Sequence, residues 1–427
     1  MDERNLSIDS VAVLGFGPSN FAGAGNAHAQ YLKSLSRVGA KVTAWFVGEP
    51  FRERELVDAG VTVRPALSVV SDAYGESDAL KYASIADEIA SHAHSIWLQS
   101  PATKIILLGT YLVPFCSALS MAANILDGLG IPVSFVVVPA GSDIWQIAPQ
   151  IPLLTQNLLY GDHVSHRVTY SKPFAGEVAA MFAHSDDFLA ICPSVDINRF
   201  RPMSADERTK HREQLGILED EIVLVTISNN RPVKKLDETI ALAREFARGA
   251  KKRVCMLIVG PMTQHLQSAL RENMGDNGSG DTTEIAFENG RVFFAGLQRN
   301  VEKYHGIADI AINTSFHDSF NISLGESLAC GVPVVTTAST GIAELVQEFD
   351  AGFAFQLPPS RGRCVLGANT DSSSRYAVVV SWLQVYFVDQ NIRLQKSANA
   401  RILAIDALSE GIADDKWARL LRSSALR

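Results

Sequence analysis

The sequence predicts an α/β chain of two domains, each a parallel sheet covered by helices. Three observations predict it. Short apolar runs of buried-strand type alternate with amphipathic helical patterns through the first half. The alternation restarts near residue 222, after a stretch without periodicity. The length, 427 residues, holds two domains of ordinary size.

In order, VAVLGF (Val11–Phe16) is a continuous apolar run that ends in the small-residue loop GPSNFAGAGN. A helix follows, with Tyr31, Leu32, Leu35 and Val38 sharing one face and Gly39 as its stop. KVTAWFV, IILLG (Ile105–Gly109) and VSFVVV (Val133–Val138) read as strands, and the Ala/Leu-rich Pro114–Leu129 as a helix between the last two. Strands alternating with helices at this spacing form parallel sheets covered on both faces. ICPSVDINRFRPMS (Ile191–Ser204), with two prolines, reads as the linker. Beyond it come the strand IVLVTIS (Ile222–Ser228), the helix Leu236–Ala247, and the strands RVCMLIVG (Arg253–Gly260), RVFFAG, ADIAINTS and GVPVVTT. Two polar insertions, Asn273–Gly290 and Pro358–Ser374, are expected as mobile surface loops. The tail from Gly411 to Arg427 reads as a helix, with Trp417, Leu420 and Leu421 at helical spacing. The expected divisions are 1–194, 195–410 and 411–427. The five tryptophans read as packing residues, and Lys251–Arg253 as a solvated helix end.

Composition narrows the function. Hydrophobic residues make up 47% and charged residues 20%, which excludes a mainly disordered chain. With 46 acidic and 38 basic residues the net charge is −8, a poor match for general nucleic-acid binding. None of Cys116, Cys192, Cys255, Cys330 and Cys364 lies within four residues of another, so reduced thiols are expected rather than a disulfide or CxxC framework. The opening MDERNLSIDS is polar and acidic, unlike a signal peptide, and runs such as Ile105–Leu108 are too short to span a bilayer. A cytoplasmic location is expected.

The chemistry concentrates in the second half. In Ser315–Leu345, Asp318 precedes a helix whose first residues are Asn321, Ile322 and Ser323, and Glu326 lies eight positions after Asp318. A helix starting there presents free amides and the positive end of its dipole, which suits a phosphate. Asn321 is a candidate cap. Asp318 could accept hydrogen bonds from sugar hydroxyls and Glu326 from those of a ribose. The alternative for both acids is ordinary charge complementing the helix dipole. In ISNNRPVKKLDE, Arg231, Lys234 and Lys235 follow a strand directly. Three cations at the carboxyl end of a sheet fit a diphosphate. The alternative, a solvated basic helix start, is weakened because cations there oppose the dipole. Two such sheets facing across a cleft would bring two ligands together, as group transfer requires.

SFHDSFNISLGESLACGVPVV resembles the signature of the retaining GT-B glycosyltransferases of family 4, the glycosyl transferases group 1. It has two acids separated by seven residues, an apolar helix and a CG-P-VV strand entry. PSVDINRFRP is similar to the family's linker, NRPVKKLDE to its Arg…Lys donor-phosphate motif, and ADIAINTS to the strand before the acidic signature. The resemblance implies a GT-B fold: two Rossmann-like domains facing across a cleft, the first binding the acceptor and the second the nucleotide sugar, with a last helix crossing back to the first. It implies retaining transfer of a hexosyl unit from a nucleotide diphosphate sugar to a hydroxyl acceptor, without metal or other cofactor. No DxD metal motif is found. Arg231 with Lys234 or Lys235 would neutralise the diphosphate, and Asp318 would contact the transferred sugar. The amides around Asn321, Ile322 and Ser323 would hold the distal phosphate, and Glu326 the ribose. Gly23 and Gly25 would correspond to the family's N-terminal glycine loop. Without a strongly basic amphipathic helix, a small-molecule acceptor is favoured over a lipid.

The sequence departs from the family pattern at several positions. Asp318 stands where Glu is usual, Asn321 where Gly is usual, and the Arg-to-Lys spacing is tighter. In VSFVVVPAGSDIW, Ala140 stands where the family often has His or another polar residue before GSD, so that role falls to Asp143 or Tyr111, or is absent. His317, beside Asp318, reads as a structural or solvated residue. These departures motivate two further readings: a non-catalytic nucleotide-sugar-binding protein, and a related enzyme coupling a non-sugar group such as a cyclitol. A remote one comes from VLGFGPSNFAGAG, whose GxGxxN is similar to the FAD loop of N-hydroxylating flavin monooxygenases, with Glu49 after the second strand. No second GxGxxG follows.

Overall fold

A computed structural model describes residues 8–19, 23–46, 52–65, 79–182, 188–262, 284–357 and 376–423. The chain forms two compact units. One runs to Ser194 and takes up the chain again at Glu410; the other is Val195–Ser409.

The first unit is built on a sheet in the order β3-β2-β1-β4-β5-β6-β7, parallel throughout. Its strands are β1 (Val11–Gly17), β2 (Lys41–Phe46), β3 (Thr62–Pro65), β4 (Lys104–Thr110), β5 (Val133–Val138), β6 (Val164–Thr169) and β7 (Phe188–Ala190). Helices α1 (Gly23–Arg37), α2 (Glu53–Asp58), α3 (Ala79–Gln99), α4 (Ser117–Gly128), α5 (Pro152–Tyr160) and α6 (Lys172–Phe182) connect them. Every residue of β1 is buried, as the unbroken VAVLGFG run requires of a strand covered on both faces. A Cβ at Gly15 would lie 2.6 Å from Leu32, and one at Gly17 2.7 Å from the His28 ring, so glycine there lets α1 settle onto β1. Phe16, Trp45, Phe115, Phe135 and Phe174 fill the core. The helix expected over Pro114–Leu129 is present, with an irregular first turn. Val113, just before the expected start, is extended (φ −117°, ψ 123°) within the irregular turn Leu112–Cys116, and regular helix runs from Ser117 to Gly128.

The second unit has the order β10-β11-β9-β8-β12-β13-β14. Its strands are β8 (Ile222–Ile227), β9 (Val254–Val259), β10 (Glu284–Phe287), β11 (Gly290–Gly296), β12 (Ile310–Asn313), β13 (Val334–Thr337) and β14 (Gly352–Phe355). Only the β10–β11 pair is antiparallel among the described strands. The helices are α7 (Ala205–Gln214), α8 (Leu236–Gly249), α9 (Glu302–Gly306), α10 (Ile322–Ala329), α11 (Ala343–Glu348), α12 (Ala377–Val388) and α13 (Gln390–Leu408). The expected loop Asn273–Gly290 is corrected at its end: Glu284–Phe287 is a strand, paired with the one that starts at Gly290. Its residues 273–283, the whole of Pro358–Ser374, Cys364 and Glu49 lie outside the described residues. The last helix, α14 (Glu410–Arg422), belongs to the first unit, where Trp417 packs edge-on against Tyr31 of α1 with ring centroids 5.1 Å apart. No described helix is long and apolar enough to cross a membrane.

Candidate functional site

Strand order reverses between β8 and β12, which lie side by side with Leu224 opposite Ile310. Ligands of open α/β sheets bind at such a switch point, beyond the carboxyl ends of the strands. Both candidate segments leave from there: Ser228–Lys235 follows β8, and Thr314–Asn321 follows β12.

Backbone geometry makes the floor of this site tight. Gly260, just past β9, has φ +145°, and a Cβ there would fall 1.8 Å from the Ser228 carbonyl oxygen. Asn230 takes φ 56° and its Nδ2 donates to the Pro261 carbonyl at 2.6 Å. The two candidate loops are then fastened to each other. The Phe316 amide donates to the Val233 carbonyl at 2.9 Å. Thr314 Oγ1 donates to the Lys235 carbonyl at 2.7 Å, so the 2.6 Å contact between Thr239 and Thr314 is completed by the Thr239 proton. On the far side, the amide of Gly341 donates to the Asp318 carbonyl at 2.8 Å, and Thr337 Oγ1 donates to the Ser315 carbonyl at 2.6 Å.

The structure brings Lys234 and Asp318 together. Lys234 Nζ donates to Asp318 Oδ2 at 2.6 Å, with the two side chains only 17% and 12% exposed. Lys235, next in sequence, takes φ 50° and ψ 48° as the cap of α8, where its carbonyl accepts from the amides of Glu238 and Thr239. Arg231 is exposed, and its side chain has no hydrogen-bond or ion-pair partner among the described residues. Asn321 caps α10 at φ 77°, with its side chain accepting from the Leu324 amide at 3.3 Å. That left-handed backbone explains both the usual glycine and the asparagine found here. The amides of Ile322 and Ser323 have no intrahelical acceptor. Ser323 Oγ donates to the Ile227 carbonyl at 2.8 Å and pins the helix tip to the end of β8.

Glu326 lies one turn into α10. Its Oε2 is 3.3 Å from Nε2 of His305, whose Nδ1 is 2.7 Å from Ser327 Oγ. Sequence reasoning does not single out His305 or Ser327. A histidine on a short helix before β12 carries no spacing signal toward an acid 21 positions away. Gly23 and Gly25 open α1 in the other unit: Gly23 is exposed with free space where a Cβ would be, and Gly25 is buried. Residues 20–22 before them lie outside the described residues.

In that unit, Asp143 is spent on structure. Its carboxylate accepts from the amides of Leu112 (2.9 Å), Ala140 (3.0 Å), Gly141 (2.7 Å) and Ile144 (3.1 Å), clamping the ends of β4 and β5. Burial pushes its carboxyl up to about 6, against the pull of those amides. Tyr111, at φ 75°, places its hydroxyl 3.0 Å from Ser142 Oγ. His28 is wholly buried, with Nδ1 2.8 Å from Thr110 Oγ1, and burial lowers its imidazole to about 3, so it is neutral. Among the described residues, no three His, Cys, Asp or Glu side chains gather as a metal site would require.

Comparison with known proteins now bears on this geometry. The family model for glycosyl transferases group 1 matches residues 207–360. The chain is 24% identical over 254 residues to N-acetyl-α-D-glucosaminyl L-malate synthase of Bacillus anthracis, covering 59% of this chain and 61% of that one. It is 30% identical over 168 residues to a D-inositol 3-phosphate glycosyltransferase of Geodermatophilus obscurus, covering 38% and 36%. The chain thus matches less than two thirds of the length of these relatives. Among solved structures, Anabaena HepE in complex with UDP superposes with a TM-score of 0.69 at 16% identity, over 96% of this chain and 99% of that one. A glycosyltransferase from Rickettsia africae superposes with a TM-score of 0.70 at 14% identity, over 96% and 97%. The chain therefore has the GT-B fold along nearly its whole length, and its second unit is similar to the glycosyl transferases group 1 family.

Proposed function

We propose that the chain is a retaining glycosyltransferase moving a hexosyl unit from a nucleoside diphosphate sugar to a hydroxyl of a small acceptor, in the cytoplasm and without metal or other cofactor. The observation that carries this reading is the Lys234–Asp318 pair, set against the Asn321-capped helix tip at the β8/β12 switch point. The segment after β8 offers a cation and the tip of α10 offers free amides to a diphosphate, and Asp318 offers acceptors to a sugar.

The geometry supports the following roles. The amides of Ile322 and Ser323 receive the distal phosphate. Lys234 has three N–H donors, so it can keep one on Asp318 and turn the others to the diphosphate. The contact of Lys234 with Asp318 supports Lys234, rather than Lys235, as the phosphate lysine. Arg231 supplies the second cation. As the anomeric C–O bond to phosphate breaks, both cations take up the charge growing on the leaving oxygen. The acceptor hydroxyl attacks from the same face, and its proton passes to that departing phosphate oxygen. A new glycosidic bond and a free nucleoside diphosphate result, with anomeric configuration kept. Asp318 accepts from the sugar hydroxyls and Glu326 from those of the ribose.

The complexes of Anabaena HepE with UDP and with UDP-glucose support a uridine nucleotide as donor. The names of two relatives, which join sugars to malate and inositol 3-phosphate, support a small, hydroxyl-bearing, anionic acceptor. A second reading, binding of the nucleotide sugar without transfer, is favoured by Ala140, which brings no polar side chain to the end of β5, and by the full commitment of Asp143 to backbone amides.

The test is a calorimetric screen of UDP, GDP, ADP and their sugars, followed by NMR of the product's anomeric configuration. Binding of one nucleoside diphosphate is expected, with configuration retained. Arg231→Ala should lower turnover by about a hundredfold or more without changing the melting temperature, because its side chain supports nothing in the fold. Wild-type rates in that variant would refute its role. Donor binding without transfer to any small hydroxylated acid or polyol would favour the second reading.

A further inference from the structure

We propose that His305 is a positioning residue that holds the Glu326 carboxylate in one orientation for the ribose of the donor. This rests on the reading of Glu326 given above and deepens it. His305 is completely buried, and its ring meets Phe200 edge-on at 5.8 Å between centroids. Its own amide donates to the Val301 carbonyl at 3.1 Å, so backbone and ring are both fixed.

The hydrogen-bond chain places a hydrogen on Nε2. Ser327 Oγ has one proton and two acceptors in reach, His305 Nδ1 at 2.7 Å and the Ser323 carbonyl at 3.2 Å. If the proton goes to the carbonyl, Nδ1 of a neutral ring must carry its own hydrogen. Nε2 then turns a lone pair on the Glu326 carboxylate 3.3 Å away, which is repulsive. If the proton goes to the nearer Nδ1, Nε2–H donates to Glu326 Oε2 and every group is satisfied. An imidazolium, with Nδ1–H on Ser327 Oγ and the Ser327 proton on the Ser323 carbonyl, also satisfies every group, and in both arrangements Nε2–H donates to Glu326. Glu326 Oε2 is thereby occupied by a fixed donor, and the other carboxylate oxygen is left to accept from a ligand. The Glu326 side chain is 15% exposed, so it is neither sealed off nor free to wander. A glutamate in open solvent would lose rotamer freedom on gripping a ribose; here that loss has been taken in folding.

The experiment compares the nucleoside diphosphate that the wild-type protein binds tightest, among UDP, GDP and ADP, with its deoxyribose counterpart. Calorimetry is run on wild type, Glu326→Ala, His305→Leu and His305→Gln. His305→Leu should weaken the ribonucleotide about tenfold and leave the deoxyribonucleotide unchanged, so the preference falls to that of Glu326→Ala. His305→Gln, whose amide can replace the Nε2 donor, should stay within about threefold of wild type. If Glu326→Ala abolishes the preference and His305→Leu keeps it, His305 only packs and the proposal falls alone. If Glu326→Ala itself keeps the preference, or no nucleotide binds the wild type, the ribose reading falls and takes the proposal with it. Nitrogen NMR of the wild-type imidazoles, assigned by loss of one signal in His305→Gln, decides without relying on the leucine variant's folding. A hydrogen on Nε2 is expected, and a bare Nε2 would overturn the proposal.

Discussion

At the scale of single residues, the Lys234–Asp318 pair separates two effects that a sequence motif cannot. On the proposed roles, removing Asp318 takes a carboxylate from the sugar, and it releases Lys234 in any case. Asp318→Ala should therefore weaken a nucleotide sugar about tenfold while the bare nucleoside diphosphate binds as well as before or better. Calorimetry with both ligands checks it, and equal losses would argue against a sugar contact. Asn321 makes a complementary case. At φ 77° glycine costs nothing sterically and forfeits only the cap to Leu324, so Asn321→Gly should change stability by a few tenths of a kcal/mol, whereas Asn321→Ala loses cap and backbone ease together and should cost about 1–2 kcal/mol in denaturant unfolding. The positions of these residues were legible because a loop of cations and a helix tip are contiguous in sequence. The pairing was not: Lys234 and Asp318 are 84 positions apart, and only the β8–β12 adjacency brings them together. The same holds for Asp143, whose charge suggests chemistry until its four amide donors are seen.

At the scale of elements, legibility followed position in the sheet. Interior strands such as β1, β4, β8 and β9 are covered on both faces and show as unbroken apolar runs. The unanticipated strands are β3, β6, β7, β10 and β14, all at or next to a sheet edge. Half-exposed, they carry residues such as Arg64, His166, Arg167 and Glu284, and such stretches read as loops. Helix α7 was also unanticipated, yet it is started by local chemistry alone. Ser204 accepts from the Glu207 amide, and the Glu207 side chain accepts from the Ser204 amide. Ser204→Ala should cost about 1 kcal/mol. The Ser204 amide, followed by Arg201, lowers the Glu207 carboxyl to about 2. Because the folded value lies below the unfolded one of about 4.3, its contribution is present above that pH and is lost as pH falls through about 2. Glutamine can keep the cap's hydrogen bond without the charge, so the stability gap between wild type and Glu207→Gln should close as pH is lowered from about 5 to about 2. A gap independent of pH would show that the charge contributes nothing.

At the scale of the whole molecule, the first unit is discontinuous in sequence and is completed by the last described helix. Trp417, Leu420 and Leu421 of α14 are buried there, and Arg37 of α1 pairs with Asp414 at 2.8 Å and Glu410 at 3.1 Å. Helical spacing in the tail shows that a face will be buried, but not against what, because the docking partner lies some 380 residues earlier in the chain. The division makes a prediction about how the protein unfolds. Trp417→Ala should cost the first unit about 3–5 kcal/mol through the cavity and the lost aromatic packing. A nucleoside diphosphate held at the β8/β12 switch point should protect only the second unit, by about 2.7 kcal/mol at a hundred times its dissociation constant. Thermal unfolding followed by residue-resolved hydrogen exchange, with and without nucleotide, tells the two apart. The substitution should lower the transition of β1, β4 and α14 and leave that of β8, β12 and α10 in place, while the nucleotide should raise the second and leave the first. If the nucleotide protects the unit that Trp417→Ala weakens, the diphosphate site is not in the second unit. If both changes move one common transition, the two cores unfold as a single cooperative body.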